Sequence, residues 1–306
     1  MFSRRNFLKI ASLLSLNLFL TDKLPAINQR KIIKKIIPKS QELITPVGMG
    51  TWLTFDVMPT QENIKTRSII LDSFFKNHGS IIDSSPMYGM AEKILGLSIK
   101  EIDNKNRLFS ATKVWTPSKL YGNEQIDNSF KLWQLSKFSL IQVHNLVNYS
   151  AHIKTLEKYK KEGKIKYLGV TTSHGSRHEE LIKIMKNDNI DFVQFTYNIL
   201  DDEAEKYLLP LAKEKKIAVI INRPFQGGNL FNYSKNKKLP KWIQKLDINS
   251  WSELYLKFII SHPSVTCAIP ATSRIDHMKE NMESQYGLLL NNQQRREVKN
   301  FFKKLI

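Results

Sequence analysis

Short apolar runs alternate with longer stretches of helical periodicity from residue 43 to the end of the chain. The apolar runs are rich in β-branched residues and bounded by turn-forming residues, as buried strands are. We predict strands near 46–50, 80–83, 108–113, 139–143, 166–171, 191–196, 217–222 and 265–269. The segments between them predict the helices Ile64–Phe75, Ala91–Glu101, Glu124–Leu135, Ala151–Lys161, His178–Lys186, Glu203–Lys213 and Ser252–Ser261. Eight strands alternating with helices predict an α/β fold, a (β/α)8 TIM barrel of parallel strands.

Additional elements are predicted at both ends of this barrel. Residues 31–43 place two isoleucine pairs around the polar stretch Pro38–Glu42, a pattern that predicts an N-terminal β-hairpin. Two helices, 275–284 and 291–306, follow the last strand, and the second is an extra C-terminal helix. We therefore divide the chain into a leading segment, 1–30, and a single barrel domain, 31–306.

The leading segment has its own pattern. Ser3-Arg4-Arg5-Asn6-Phe7-Leu8-Lys9 precedes the apolar run 10–20, and together they resemble a twin-arginine export signal. The apolar run is shorter than the roughly 20 residues of a membrane-spanning helix. The resemblance implies recognition by the twin-arginine export machinery and a periplasmic location, or a cytoplasmic one if the signal is not read. Whether the segment is cleaved or kept as a tether stays open.

Charge is the unusual feature of the composition, because the net charge is +19 over 306 residues. A basic membrane-surface or nucleic-acid protein is one interpretation. The basic residues are scattered, however, and no arginine-rich recognition helix is evident, so we expect no nucleic-acid partner. The single cysteine, Cys267, excludes an internal disulfide.

Three successive predicted strands end on titratable residues. Asp83 and Tyr88 follow strand 80–83, Lys113 ends strand 108–113, and His144 follows strand 139–143. Each residue alone has a structural interpretation, such as a salt bridge, a tyrosine at the rim or a capping histidine. Active sites of TIM barrels lie at the C-terminal ends of the strands, so the set together indicates catalysis.

The flanking sequences carry a family resemblance. Asp83-Ser84-Ser85-Pro86-Met87-Tyr88-Gly89, Ala111-Thr112-Lys113-Val114 and Gln142-Val143-His144-Asn145 resemble the catalytic tetrad of the aldo/keto reductase family, and the resemblance covers residues 36–282. It implies reduction of an aldehyde or ketone by hydride transfer from NADPH, with NADH as the other possibility. Tyr88 would be the general acid, Lys113 would lower its pKa, Asp83 would hold Lys113, and His144 would orient the substrate oxygen. We expect a monomer acting on a small carbonyl substrate.

Cofactor binding must use barrel loops, because no strand is followed by the Gly-x-Gly-x-x-Gly of a Rossmann site. Thr171-Thr172 stands where the family usually has Ser-Asn, Ala271 where it has Lys, and His277 where it has Arg. Ser273 and Arg274 could still bind a 2′-phosphate, which favours NADPH. The cofactor contacts implied by the resemblance are Gly50, Thr51, Trp52, Thr171, Thr172, Gln194, Asn222, Arg223, Pro224, Phe225, Gly228, Asn229, Pro270, Ala271, Thr272, Ser273, Arg274, His277, Glu280 and Asn281.

Other features leave alternatives open. His174 and His178 are spaced as two ligands on one helix face, but no cysteine or carboxylate completes a site, so we predict no bound metal. The polar insertion 235–242 could cover the pocket or be a surface excursion. Within the same fold, a cofactor-bound sensor that turns over slowly is an alternative to an efficient enzyme.

Overall fold

A closed ring of eight parallel strands forms the centre of the molecule in the computed structural model, which describes residues 30–306. Neighbouring strands pair in chain order, and bridges from Val47 to Ala268 and from Gly50 to Ala271 join the first strand of the ring to the last. The predicted TIM barrel is therefore confirmed. Its strands are β3 Met49–Gly50, β4 Ile81–Asp83, β5 Phe109–Val114, β6 Phe138–Val143, β7 Ile165–Thr171, β8 Phe192–Thr196, β9 Ala218–Asn222 and β10 Cys267–Ala268.

Helices follow the strands as the periodicity predicts. They are α1 Gln61–Lys76, α2 Ala91–Lys100, α3 Lys119–Trp133, α4 Tyr149–Lys161, α5 His178–Asn187, α6 Leu208–Glu214, α7 Leu230–Ser234, α8 Lys241–Gln244, α9 Trp251–Ile260, α10 Ile275–Glu283 and α11 Asn292–Lys303. Short 3₁₀ turns occupy His144–Leu146, Glu203–Glu205 and Gln226–Gly228.

The predicted hairpin closes the N-terminal end of the barrel. Strands β1, Lys35–Ile36, and β2, Leu43–Ile44, are antiparallel. Ile37 and Ile44 are buried in one apolar cluster with inward-facing residues of the barrel strands. Within that cluster the rings of Phe109 and Tyr167 stack at 5.9 Å. Access to the barrel interior is thus left to the opposite end, where the strands end.

Helix α11 begins with a capping box between Asn291 and Gln294 and buries Val298 and Phe302 against the domain. The predicted export signal lies outside the described residues 30–306. Within those residues, no helix has the length and apolarity that crossing a membrane requires.

Candidate active site

A fully buried ion pair lies at the C-terminal end of β4 and β5. The Nζ of Lys113 is 2.5 Å from Oδ2 of Asp83 and donates a second hydrogen bond, of 2.8 Å, to the carbonyl of Ser84. Both side chains are essentially excluded from solvent. Burial lowers the pKa of Lys113, but the charge of Asp83 and the coupling to Tyr88 outweigh it, so the net pKa is raised. Lys113 is therefore a permanent cation inside the barrel.

Two amides hold the other oxygen of Asp83. Gln142 Nε2 donates to Oδ1 at 3.1 Å, and Gln194 Nε2 donates to the same atom at 3.0 Å. Gln142 was not among the predicted site residues. Gln142 pairs in register with Lys113 of β5. It precedes His144 by two residues, so the side chains of Gln142 and His144 point to the same side of the strand. A glutamine that directly follows the apolar Leu140 and Ile141 was the sequence signal that could have identified it.

Tyr88 lies in the turn after β4, where its N–H donates to the Ser85 carbonyl at 2.9 Å. The Lys113 ammonium is 5.1 Å from the centre of the phenol ring. Burial raises the pKa of Tyr88, and Lys113 opposes this rise both by its charge and by a hydrogen bond. The sequence predicted that Lys113 lowers this pKa. It does so relative to burial alone, but desolvation is the larger effect and the net pKa is raised. Tyr88 therefore carries its proton at neutral pH.

His144 faces Tyr88 across the same end of the barrel. The two rings are nearly perpendicular with centres 5.7 Å apart. Burial and then the charge of Lys113 lower the pKa of His144 to about 2, so the imidazole is neutral. Nδ1 lies 2.9 Å from Ser85 Oγ, which already accepts a hydrogen bond from the Met87 N–H. The Ser85 hydroxyl can donate to Nδ1, and in that arrangement the imidazole hydrogen is on Nε2.

A cleft of about 1030 Å³ opens beside these residues, and Asp83, Tyr88 and His144 contribute to its wall. Lys113 is not in the wall, because it is buried behind Asp83 and Tyr88. Of the residues that the sequence predicted to contact a cofactor, the cleft is lined by Gly50, Thr51, Trp52, Thr171, Thr172, Gln194, Asn222, Arg223, Pro224, Phe225, Gly228, Pro270, Ala271, Thr272, His277, Glu280 and Asn281.

Three predicted cofactor residues, Asn229, Ser273 and Arg274, are exposed and lie outside the wall of the cleft. The guanidinium of Arg274 pairs instead with Asp276, with Nε 3.0 Å from Oδ1. The segment after β10 therefore lines the cleft with residues that include Ala271 and His277, and the guanidinium of Arg274 is not among them.

The cleft has polar groups suited to an amide-bearing ligand. The hydroxyl of Thr172 is buried without a hydrogen-bond partner, although the residue lines the cleft. The amide of Asn222 beside it is fixed by the Thr172 carbonyl at 2.8 Å and by the Thr196 hydroxyl at 2.7 Å. A buried hydroxyl without a partner is costly unless a ligand satisfies it. The Thr172 hydroxyl can therefore bond a polar ligand group such as a nicotinamide carboxamide.

The segment between β9 and α9 also reaches the cleft. Lys237, Lys238 and Leu239 from the predicted insertion line it, as does Trp251 at the start of α9. The insertion is thus part of the cleft wall. Within residues 30–306, no group of three or more His, Cys, Asp or Glu side chains is arranged to hold a metal ion.

Comparison with known proteins gives the same family as the resemblance of the sequence motifs. A family model described as "Aldo/keto reductase family" matches residues 46–301. Aldo-keto reductase YhdN of Bacillus subtilis is 24% identical over 65% of this chain and 69% of its own length. Aldo-keto reductase AKR11C1 from Bacillus halodurans, in its holo form, superposes with a TM-score of 0.72 at 22% identity, covering 90% of this chain and 96% of its own. An aldo/keto reductase from Klebsiella pneumoniae, solved with NADP and acetate, has a TM-score of 0.71 at 20% identity and covers 89% of this chain and 96% of its own.

The family match spans most of the chain and includes all four strand-end residues Asp83, Tyr88, Lys113 and His144. The chain is an oxidoreductase of the aldo/keto reductase family.

Proposed function

We propose that the protein reduces an aldehyde or ketone to the alcohol with NADPH, using Tyr88 as the general acid. The observation that carries the proposal is the convergence of a protonated phenol, a buried cation and a neutral imidazole at the mouth of one cleft. A cation and a carboxylate alone would be a structural ion pair. The phenol and the imidazole beside a ligand-sized cleft support acid catalysis.

Each side chain has a separate task in this proposal. Tyr88 gives its proton to the carbonyl oxygen, and Lys113 stabilises the tyrosinate that remains. Asp83 keeps Lys113 charged and in place, since an unpaired buried ammonium would be costly. The Nε2–H of His144 donates a hydrogen bond to the same carbonyl oxygen and stabilises the negative charge that develops there.

The cofactor supplies hydride when it is bound, and the residues of the cleft position it. Thr172 and Asn222 would hold the carboxamide, and Trp52 and Phe225 offer apolar surface for the nicotinamide ring. Gly228 lines the cleft with a positive φ of +97°, and without a Cβ its backbone could be approached closely by a diphosphate. NADPH is proposed because the Klebsiella pneumoniae structure is described with NADP. Arg274, which was predicted to bind the 2′-phosphate of NADPH, is paired with Asp276, so assays with both NADPH and NADH are needed to determine the preference.

The substrate is proposed to be a small, uncharged carbonyl compound. The loop after β3 places Trp52 and Leu53 in the cleft wall next to the loop that carries Met87 and Tyr88. These neighbours of the phenol are apolar and partly exposed. An uncharged aldehyde or ketone would cover that surface.

Export through the twin-arginine route is a separate proposal, supported by the motif at Arg4 and Arg5 and the apolar run behind it. The test is to express the full chain in a bacterial host, with and without Arg4→Lys and Arg5→Lys together, and to separate the cellular fractions. The proposal predicts the unchanged chain in the periplasm and the double variant in the cytoplasm. An identical distribution of the two would contradict it.

The catalytic proposal is tested by following NADPH absorbance with purified protein and a panel of aldehydes and ketones, and repeating each assay with NADH. We expect consumption that depends on the carbonyl compound, and a loss of kcat of about 100-fold or more in Lys113→Met. Lys93→Met, an exposed lysine of α2, is the matched control. Thermal unfolding shows whether each variant is folded. A wild-type protein that oxidises NADPH with no member of the panel would contradict the proposal.

A further inference from the structure

A buried carboxyl group lies just outside the active site and takes no direct part in the proposed reaction. Glu92, in the first turn of α2, is 2% exposed. Its Oε1 accepts hydrogen bonds from the Thr112 hydroxyl at 2.6 Å and the Trp133 indole at 3.0 Å, and its Oε2 accepts one from the Ser129 hydroxyl at 2.9 Å. All three donors are uncharged. Burial raises the pKa of Glu92, although its three hydrogen bonds and the charge of Lys113 oppose the rise. A buried carboxyl group with no ion-pair partner is costly, which suggests a specific role.

The partners of Glu92 connect the two elements that carry the acid and its cation. The N–H of Ala91, which begins α2, donates to the Tyr88 carbonyl at 3.0 Å, so the phenol's backbone is bonded to the first turn of this helix. Thr112 immediately precedes Lys113 in β5. Successive strand residues point to opposite faces, so Lys113 lies inside the barrel while Thr112 faces the helix layer and meets Glu92.

We propose that Glu92 is a positioning residue for the reaction, which holds the Tyr88 phenol at a fixed separation from the Lys113 ammonium through its hydrogen bond to Thr112. The inference rests on the proposed function, because it assigns Glu92 a task only if Tyr88 and Lys113 act together. The bonds to Ser129 and Trp133 have a different role: they attach the same carboxyl to α3, which carries none of the four site residues.

A carboxyl group is well suited to this position because it offers acceptor capacity to several donors at once. Its two oxygens accept from β5 and α3 simultaneously, and each bond limits the movement allowed to the others. The turn at Tyr88 has a second anchor, the Met90 N–H bonded to Asp56 Oδ1 at 2.9 Å. That anchor fixes the turn to the loop after β3, whereas the Glu92–Thr112 bond fixes it to the strand of Lys113.

The test separates the bond to β5 from the bond to α3. Thr112→Val removes the hydroxyl that links Glu92 to the strand of Lys113 and keeps the side-chain shape. Ser129→Ala is the matched control, because it removes a hydrogen bond of the same kind from the same carboxyl group without touching β5. We expect Thr112→Val to lower kcat by about tenfold or more, since a small misplacement of reacting groups is costly. Ser129→Ala should lower the unfolding temperature and leave kcat unchanged.

A second readout distinguishes positioning from general loss of stability. Lys113 lowers the pKa of Tyr88 relative to burial alone. Weaker coupling in Thr112→Val should therefore raise the pKa of the phenol and move the alkaline limb of the kcat profile for reduction to higher pH. Thr112→Ser, which retains a hydroxyl, should restore both kcat and the limb toward the wild-type values. If Thr112→Val does not fold, Glu92→Gln is compared with Ser129→Ala instead. We then expect Glu92→Gln to have a lower kcat and an alkaline limb of the kcat profile shifted to higher pH.

Two different failures can be told apart. If the wild-type protein shows no carbonyl-dependent oxidation of NADPH, the proposed function itself fails. If the wild-type protein turns over and Thr112→Val matches Ser129→Ala in both kcat and pH profile, only the role of Glu92 is overturned.

Discussion

Asp83 organises the active site because each of its oxygens has a different partner. Oδ2 binds the Lys113 ammonium, and Oδ1 accepts from Gln142 and Gln194. A buried carboxylate with this many donors is held in one orientation, and so is the ammonium that depends on it. The Lys113 ammonium is thus positioned by a carboxylate that Gln142 and Gln194 hold in place.

The tautomer of His144 yields a prediction at the level of a single hydrogen bond. Ser85→Ala removes the hydroxyl beside Nδ1, so the hydrogen is no longer confined to Nε2. We expect kcat for carbonyl reduction to fall about tenfold, because in protein molecules with the hydrogen on Nδ1 the imidazole cannot donate a hydrogen bond from Nε2 to the carbonyl oxygen. Steady-state kinetics at saturating NADPH provide the measurement. Ser84→Ala is less suitable as a control because Ser84 contacts Thr51 in the same site. Ser176→Ala, an exposed serine outside the cleft wall, serves instead, and an equal loss of kcat in both variants would contradict the tautomer argument.

The sequence indicated Asp83, Tyr88, Lys113 and His144 because strand ends in a parallel barrel meet on one face, so positions along the chain translate directly into proximity. The same reasoning could not find Gln142, whose role depends on the register between β5 and β6. It also could not decide where Arg274 points. That side chain has a carboxylate two residues away, and local pairing with Asp276 is visible only in coordinates.

At the scale of elements, the hairpin is a separable contributor to stability. Ile37 is buried beneath the barrel strands, whereas its neighbour Ile36 is 48% exposed. We predict that Ile37→Ala lowers the free energy of unfolding by about 2–4 kcal/mol through lost burial and the cavity left behind. Ile36→Ala, the same chemical change one residue away, should have little effect. Denaturant unfolding gives both values, and KM should not change in either variant because the hairpin lies at the end opposite the cleft. Equal destabilisation by the two substitutions would contradict the packing described.

Element boundaries show what periodicity misses. Helix α3 begins at Lys119, five residues before the predicted start, because the Ser118 hydroxyl accepts from the Tyr121 N–H and caps it there. The predicted helix 203–213 is a 3₁₀ turn followed by α6. Pro210 lies in the first turn of α6 and has no N–H for the carbonyl of Lys206, so the helical hydrogen bonds do not continue back into the 3₁₀ turn. Caps and missing donors, rather than apolar spacing, decide where these helices begin.

The whole molecule should lose stability in acid through its buried histidines. The pKa of His144 is lowered to about 2 and that of His262 to about 4, in both cases first by burial. An unfolded histidine titrates near 6.5, so the stability these residues contribute is present above that pH and is lost as pH falls below it. For His262 the loss ends near pH 4, where the folded protein also takes up the proton.

His262 offers the cleaner test because it lies outside the active site. Arg295, Lys35 and Lys213 add positive charge around it, and Glu205 opposes them. We predict that the free energy of unfolding of His262→Gln falls less steeply between pH 6.5 and 4 than that of the wild-type protein. Urea unfolding across this range measures the two slopes, and the comparison cancels the titration of the carboxyl groups that both proteins share. Parallel slopes would show that His262 is not held neutral.

The barrel places a protonated phenol in the wall of a large cleft, with a buried ammonium behind it. The most direct measurement compares wild type and Tyr88→Phe for carbonyl-dependent NADPH oxidation and, by titration calorimetry, for NADPH binding. We predict that kcat of Tyr88→Phe falls by about 100-fold or more, because the proton donor is removed. The affinity for NADPH should be unchanged. A Tyr88→Phe protein that retains wild-type turnover would contradict this prediction.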